Sequence, residues 1–341
     1  MTTSPTQNIQ QENRDYLFDN IKAVLIFLVV LGHILPHFTN SVKLYELAKY
    51  VIYSFHMPMF VFITGYFSKN AKKSASTAFV TYFIPFLIFS SLYTIITRGT
   101  VFVSISIFRP SFALWFLISV FFWKILLPHL CKIRWIIPLS IALTLYAGLF
   151  DEVNKFISLS RTLAFFPFFL VGYFFNNDEA KEKIKKLPRW LALIIFLIVS
   201  GGSAVIFFKR IVPPAIFEGA RGYKFMKLSP FAGMSMRFAF ICVGLVLCLC
   251  IYRFAPRKKL FFTKYGKYTI TIYLLHTYLI KLTNNATFFY DINPFLGLAI
   301  MAAISALAVV VLGNKYFNLA YIKLIQFLTK LLVKKSAEEV V

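Results

Sequence analysis

Ten runs of apolar residues, separated by short polar or charged connections, organise this chain. They fall at about 19–38, 45–67, 78–97, 112–130, 134–150, 161–176, 189–208, 236–254, 267–283 and 294–314. A bilayer core about 30 Å thick takes roughly 20 residues of helix. The pattern therefore predicts an all-α, polytopic integral membrane protein of about ten transmembrane helices. The fifth and sixth runs are short, as a tilted or partly re-entrant helix would be. From Asn314 to Lys335 the pattern changes: Lys315, Lys323, Lys330, Lys334 and Lys335 are spread among Leu, Ile and Phe. That mixture predicts an amphipathic helix lying on the membrane surface. Residues 1–18 are polar and read as a disordered N-terminus. Residues 19–314 then form the ten-helix domain, and 315–341 a basic amphipathic tail.

Composition agrees with the pattern. The chain is 59% hydrophobic with a mean hydropathy of +0.73, against roughly 45–50% apolar residues in soluble domains. The formal charge of +24 would point to nucleic acid in a soluble protein. Here most lysines and arginines sit between apolar runs, which is the pattern of membrane topology and anionic lipid. No basic domain stands apart for nucleic acid. With both termini cytoplasmic, the basic residues gather in the inner loops, as a multi-pass protein of a bacterial plasma membrane requires. Asp151 and Glu152 then open an outer loop. One outer loop departs from this rule: Lys209–Arg237 carries six basic residues. It reads either as a tolerated exception or as a platform for an anionic acceptor. No small-residue cleavage site follows the first run, so that run is expected to stay in the mature protein. Cys131, Cys242, Cys248 and Cys250 lack CxxC spacing and read as small apolar residues.

Ionisable groups inside spans are costly and usually functional. At about 1.5 Å per residue, the first run carries His33 roughly 21 Å in from Asp19. His56 lies roughly 15 Å in from Glu46, and His276 roughly 14 Å from Lys267. Three histidines on three helices thus share a depth, which predicts a common polar cavity. Few carboxylates accompany them to orient the rings, so a metal site is not expected. Histidine titrates near neutral pH, and acid/base chemistry suits it better. Lys22, with Lys69, Lys72 and Lys73 after the second span, marks one mouth of the bundle. These lysines either hold phosphates or simply set topology. Asp19 complements the start of the first helix. His37, after Pro36, reads as an interface residue.

These residues resemble a known family. Asp19-Asn-Ile-Lys22 followed by His33 is similar to the opening signature of the membrane acyltransferase-3 superfamily: an Asp, a basic residue three on, and a histidine eleven beyond. SFHMPMFVFITGYF (54–67) resembles the FHMPLF…SGY segment of its fucose 4-O-acetylase-like, polysaccharide O-acetyltransferase branch. ALWFLISVFF (113–122), FFPFFLVGYFF (165–175) and KYTITIYLLHTYLI (267–280) resemble its later helices. The resemblance implies a ten-helix bundle that moves an acetyl group from cytoplasmic acetyl-CoA, the donor substrate, to a hydroxyl of an envelope glycan. That glycan would be capsule, O-antigen, exopolysaccharide or a lipid-linked saccharide. No bound cofactor is implied. His33 would be the key histidine and Lys22 would lie near the coenzyme. The chain departs from the family at Lys69, Lys72 and Lys73, where other branches carry an arginine pair; lysine acts as a point charge without the bidentate fork.

On this reading His33 is the general base on the sugar hydroxyl, or is itself transiently acetylated. His56 positions the thioester or stabilises the oxyanion, His276 orients a partner group, and Asp19, Trp115 and Tyr66 line the substrate path. A multi-pass transporter or flippase of lipid-linked glycan would share the spans and the buried polar groups. Transporter folds commonly carry an internal repeat, and none is visible here.

Overall fold

A computed structural model of the chain describes residues 15–39, 42–98, 110, 113–150, 157–175, 178–283 and 287–332. Residues 1–14, expected to be disordered, lie outside them, as do Asp151, Glu152 and the last part of the tail, 333–341. The described residues contain fourteen α-helices and no strand. In chain order these are α1 (Leu17–Ile34), α2 (Lys43–Tyr66), α3 (Ala71–Ala78), α4 (Ile84–Arg98), α5 (Trp115–Leu130), α6 (Ile136–Ala147) and α7 (Leu159–Phe174). There follow α8 (Asp178–Lys185), α9 (Arg189–Phe208), α10 (Ala215–Glu218), α11 (Pro230–Phe254), α12 (Thr269–Thr283), α13 (Pro294–Leu312) and α14 (Lys315–Leu332). A π-turn over Phe79–Phe83 joins α3 to α4, so the third apolar run forms one rod with a local irregularity.

All ten apolar runs are helical, but they are unequal. Six of the described helical stretches are long and apolar enough to cross a membrane: Leu17–His37, Lys43–Tyr66, Ala71–Ile96, Arg189–Phe208, Pro230–Phe254 and Pro294–Leu312. Helices α5, α6 and α7 are shorter apolar helices of 16, 12 and 16 residues, and α12 has 15. The protein is therefore an all-helical membrane protein with six span-length helices among the described residues, fewer than the ten spans expected. The tail does fold as a helix, α14.

Most of the bundle is held by apolar packing, and close backbone approach sets its centre. Helices α2 and α7 form the most extensive helix pair, and each contributes a glycine to the seam. A Cβ on Gly65 would sit 1.9 Å from the carbonyl oxygen of Phe169, and one on Gly172 would sit 2.0 Å from that of Phe62. Small residues admit such contacts between membrane helices, where lipid supplies no hydrophobic drive for association. Polar bonds supplement the seam. Ser119 and Thr162 hydroxyls meet at 2.7 Å, and Trp123 Nε1 donates to Thr162 O at 3.0 Å, tying α5 to α7. Pro167 has no N–H for the carbonyl of Leu163; Thr144 Oγ1 of α6 donates to it instead, at 2.7 Å. A backbone acceptor in an apolar helix must find a donor within the protein, and here the next helix supplies it.

Two connections are folded rather than loose. Asn20 Nδ2 of α1 donates to the carbonyls of Pro256 and Lys258, both at 2.9 Å, and its Oδ1 accepts from Thr263 Oγ1 at 2.5 Å. Gly266 lies directly on the carbonyl oxygen of Asp19, with no room for a side chain. The α11–α12 connection is thereby clamped beneath α1. At the opposite end, the basic loop after α9 folds into a cap. Tyr223 N donates to Gly148 O at 2.7 Å, and Tyr223 OH donates to Leu145 O at 2.9 Å. Phe217 stacks on Phe207 at 3.5 Å between ring centres. The cap thus turns α10 towards the bundle interior.

Candidate active site

Two cavities enter the bundle from opposite ends and meet in its middle. The first, ≈ 210 Å³, has Lys22, Lys124, Thr64 and Tyr82 among its walls; the second, ≈ 250 Å³, has His33, His56, Lys49, Arg161, Trp115 and Glu218. Val29, Met57 and Tyr273 line both. Those three side chains mark a waist between two chambers of unlike character. The first is an apolar tube with basic groups at its mouth. The second gathers histidines and charged groups.

Of the three mid-depth histidines, the fold brings His33 and His276 side by side, with ring centres 5.3 Å apart. His56 lines the His33 cavity beside Tyr53, at 5.0 Å between rings. Hydrogen bonds set the tautomers of the latter two. His56 Nδ1 lies 2.8 Å from the carbonyl oxygen of Ile52, and His276 Nδ1 lies 2.6 Å from that of Tyr273. A carbonyl only accepts, so each Nδ1 carries the proton and each Nε2 presents a lone pair. With Nδ1 committed to the backbone, the neutral His56 ring turns an acceptor, Nε2, towards the cavity. His276 Nε2 is buried with no hydrogen-bond partner among the described residues. The His33 turn is itself anchored, because Tyr53 OH donates to Gly32 O at 3.0 Å. Among the described residues, no three His, Cys, Asp or Glu side chains converge as a metal-holding group.

The basic mouth is arranged less simply than the sequence indicates. Lys22 pairs with Asp19 at 3.0 Å and lies 5.8 Å from the Phe67 ring centre. Lys69, Lys72 and Lys73 are exposed where α3 begins. Tyr66 does not line either cavity; it packs on Phe18 at 4.4 Å, with Lys69 4.7 Å from its ring centre. Trp115 does line the His33 cavity, 8% exposed, with Phe165 at 5.1 Å.

Several groups in the cavities went unassigned at the sequence level. Lys124 is 8% exposed and donates to Ser68 Oγ at 3.0 Å and Ser74 Oγ at 2.7 Å. A lysine inside an apolar run was the signal for it. Arg161 lies 5.4 Å from the Trp115 ring centre. Its place at the very start of a run disguised it as a topology marker. Glu218 comes from the capping loop, and Lys49 from the first turns of α2. Tyr53 and Tyr273 had no distinguishing pattern among eighteen tyrosines. Tyr273 OH donates to the carbonyl of Ala113, fixing α12 against the start of α5.

The acyltransferase-3 model, described as an acyltransferase domain, matches residues 15–314, which take in both cavities. The nodulation protein NolL of Sinorhizobium fredii is 26% identical over 205 residues, 54% of this chain and 54% of that protein. NolL of Mesorhizobium japonicum is 27% identical over 184 residues, 48% of each. The chain thus spans about half the length of the curated relatives it matches. No solved structure matches it.

Proposed function

Because the chain belongs to the acyltransferase-3 family, we propose that it is an O-acetyltransferase carrying acetyl from cytoplasmic acetyl-CoA to a hydroxyl of a cell-envelope glycan. The observation that carries this reading is the waist at Val29, Met57 and Tyr273, shared by a basic-mouthed apolar tube and a histidine-lined chamber. A coenzyme thioester has the matching shape: an anionic head, a long thin arm, and a reactive carbon at its tip. Lys22 and Lys124 face the head from the tube wall, and Lys69, Lys72 and Lys73 supply positive charge at its rim. The acceptor enters the other chamber, so the two substrates approach from opposite ends and meet at the waist.

In the reaction, the acceptor hydroxyl oxygen attacks the thioester carbonyl carbon while His33 takes the hydroxyl proton. The tetrahedral intermediate collapses, the C–S bond breaks, and the departing sulfur recovers the proton from His33. His56 and His276, with Nδ1 committed to the backbone, act as acceptors that orient the hydroxyl and the His33 ring. A base of this kind contributes about 10²–10⁴-fold to the rate. The test is glycan acetylation by His33→Ala in a strain lacking the native gene. Loss of acetylation at a normal protein level is expected; full acetylation overturns the proposal.

A further inference from the structure

The charged side chains of the bundle include two contrasting groups. In the first, outside the His33 cavity, three arginines find acceptors within the protein. Arg210, on the capping loop, meets Glu46 at 2.5 Å and donates to Tyr50 OH at 2.8 Å. Buried Arg237 donates to the carbonyls of Thr144 and Arg221 at 3.2 and 2.9 Å. Arg253 donates to the carbonyls of Leu187 and Lys185 at 2.5 and 3.1 Å. The second group lies in the His33 cavity and behaves differently. Arg161, Glu218 and Lys49 all line it. Glu218 acts electrostatically on both cations. Among the described residues, however, these three form no ion pair and no hydrogen bond, with one another or with the backbone. The two cations lie instead against aromatic faces: Arg161 with Trp115 at 5.4 Å, Lys49 with Tyr53 at 5.4 Å and Tyr50 at 5.7 Å.

Holding a guanidinium and a carboxylate half-buried in an apolar bundle without pairing them costs free energy. The arrangement becomes favourable when a ligand takes up their capacity. Arg161 offers a planar fork of donors, Glu218 two acceptor oxygens, and Lys49 a rotatable ammonium. Between them stands the flat face of Trp115. A ligand that suits all four must accept at one edge, donate at another, and present an apolar face. A pyranose ring does so, with ring and hydroxyl oxygens, vicinal O–H donors, and a face of axial C–H bonds. Glu218 offsets one of the two cations, and the ligand edge that faces its carboxylate must carry uncharged hydroxyls, since a carboxylate there would be repelled.

Resting on the acetyltransferase reading, we infer that Trp115, Arg161, Glu218 and Lys49 form the acceptor subsite, and that it holds a neutral pyranose through a vicinal diol on Glu218. Arg161 anchors an oxygen on the opposite edge, and the ring lies on Trp115. One of its hydroxyls then reaches His33, which lines the same cavity. These are recognition residues; none of them handles the transferred proton.

The experiment uses the full chain in lipid nanodiscs, with methyl hexopyranosides and the matching methyl uronides as probes. Binding is followed by tryptophan emission, and Trp115→Phe defines the part that reports from the cavity. The wild type should show saturable quenching by at least one neutral pyranoside, absent in Trp115→Phe. Arg161→Lys keeps charge without the fork, and Glu218→Gln keeps shape without charge; each should weaken that binding about tenfold or more. Acetyl-CoA binding, measured in parallel, should stay within twofold in both variants, which also shows that they are folded. Arg210→Lys, outside the cavity, should leave both ligands unchanged. Absence of pyranoside binding while acetyl-CoA still binds overturns the subsite alone. Tighter binding of uronides than of their neutral parents overturns it too, as does a loss in Arg210→Lys equal to that in Arg161→Lys. Failure of the wild type to bind acetyl-CoA overturns the underlying enzyme reading.

Discussion

A methyl group added at Gly172 tests whether the spacing of two helices sets the chemistry between them. Its Cβ would lie 2.0 Å from the carbonyl oxygen of Phe62 and 2.8 Å from the carbonyl carbon. Both obstacles are backbone atoms, so no rotamer change relieves them. A carbon and a carbonyl oxygen rest about 3.3 Å apart; taking 2.0 Å from that leaves about 1.3 Å by which α7 must retreat from α2. Overpacking of this kind costs about 1–3 kcal/mol, which a large bundle survives. The functional consequence is greater. Helix α2 carries His56 and Tyr53 while α7 carries Arg161, and all three line the His33 cavity. A displacement near 1 Å in a reacting constellation costs about 100-fold in rate. Gly172→Ala is therefore expected to accumulate in the membrane, melt at a lower temperature and transfer acetyl about 100-fold more slowly. The assay follows label from the acetyl group of acetyl-CoA into envelope glycan in isolated membranes, with protein quantified by immunoblot. Gly201, in α9, is the control: nothing lies within 4 Å of its would-be Cβ. Alanine there gains up to about 1 kcal/mol of helix propensity and should transfer at the full rate. Wild-type turnover by Gly172→Ala, or equal impairment of Gly201→Ala, refutes the reasoning.

Three further outcomes follow from contacts elsewhere. Asn20→Ala strips the partners from two carbonyls and a hydroxyl beneath α1; a loss of about 3 kcal/mol should appear as a lower thermal midpoint in detergent, and an unchanged midpoint counts against the clamp. Lys124→Met keeps the bulk of the side chain and removes its charge from the Lys22 cavity; the KM for acetyl-CoA should rise about tenfold, as loss of one charged contact predicts, while the acceptor KM stays put. Glu46→Gln breaks an ion pair whose arginine side chain is 60% exposed; such a pair is worth about 1 kcal/mol or less, so the thermal midpoint should scarcely move, and a large drop would assign the capping loop a greater share of stability.

Helix placement was legible because a bilayer imposes one ruler on every span. All ten apolar runs are helices, with ends near those the pattern predicts. Span length was less legible, since hydropathy reports what a segment avoids and not how it sits. Helices α6 and α7 show the difference. Ile136–Ala147 has only twelve residues, and Leu159–Phe174 is buried along most of its length against other helices. An apolar run facing protein and one facing lipid have the same composition. The capping loop was misleading in another way. Its six basic residues read either as a tolerated exception or as a surface platform, yet its one acidic residue, Glu218, is the charged group it brings to the cavity.

The site divides along a physical line. Residues whose cost is visible in sequence could be singled out there: His33, His56 and His276 lie well inside apolar runs, where only a partner or a function offsets the burial of an imidazole. Depth arithmetic then sufficed, because helix rise is constant, and the three rings do converge on one region. Arg161 and Lys49 escaped because each stands near the end of a run, where a long side chain can reach water and its charge has an ordinary explanation. Only the fold reveals that Arg161 turns inward over Trp115, and only its lack of a hydrogen bond among the described residues separates it from Arg210, which meets Glu46 and Tyr50. On the subsite proposal, recognition residues in such a bundle are better sought among charges without a partner in the fold than among charges that are merely buried.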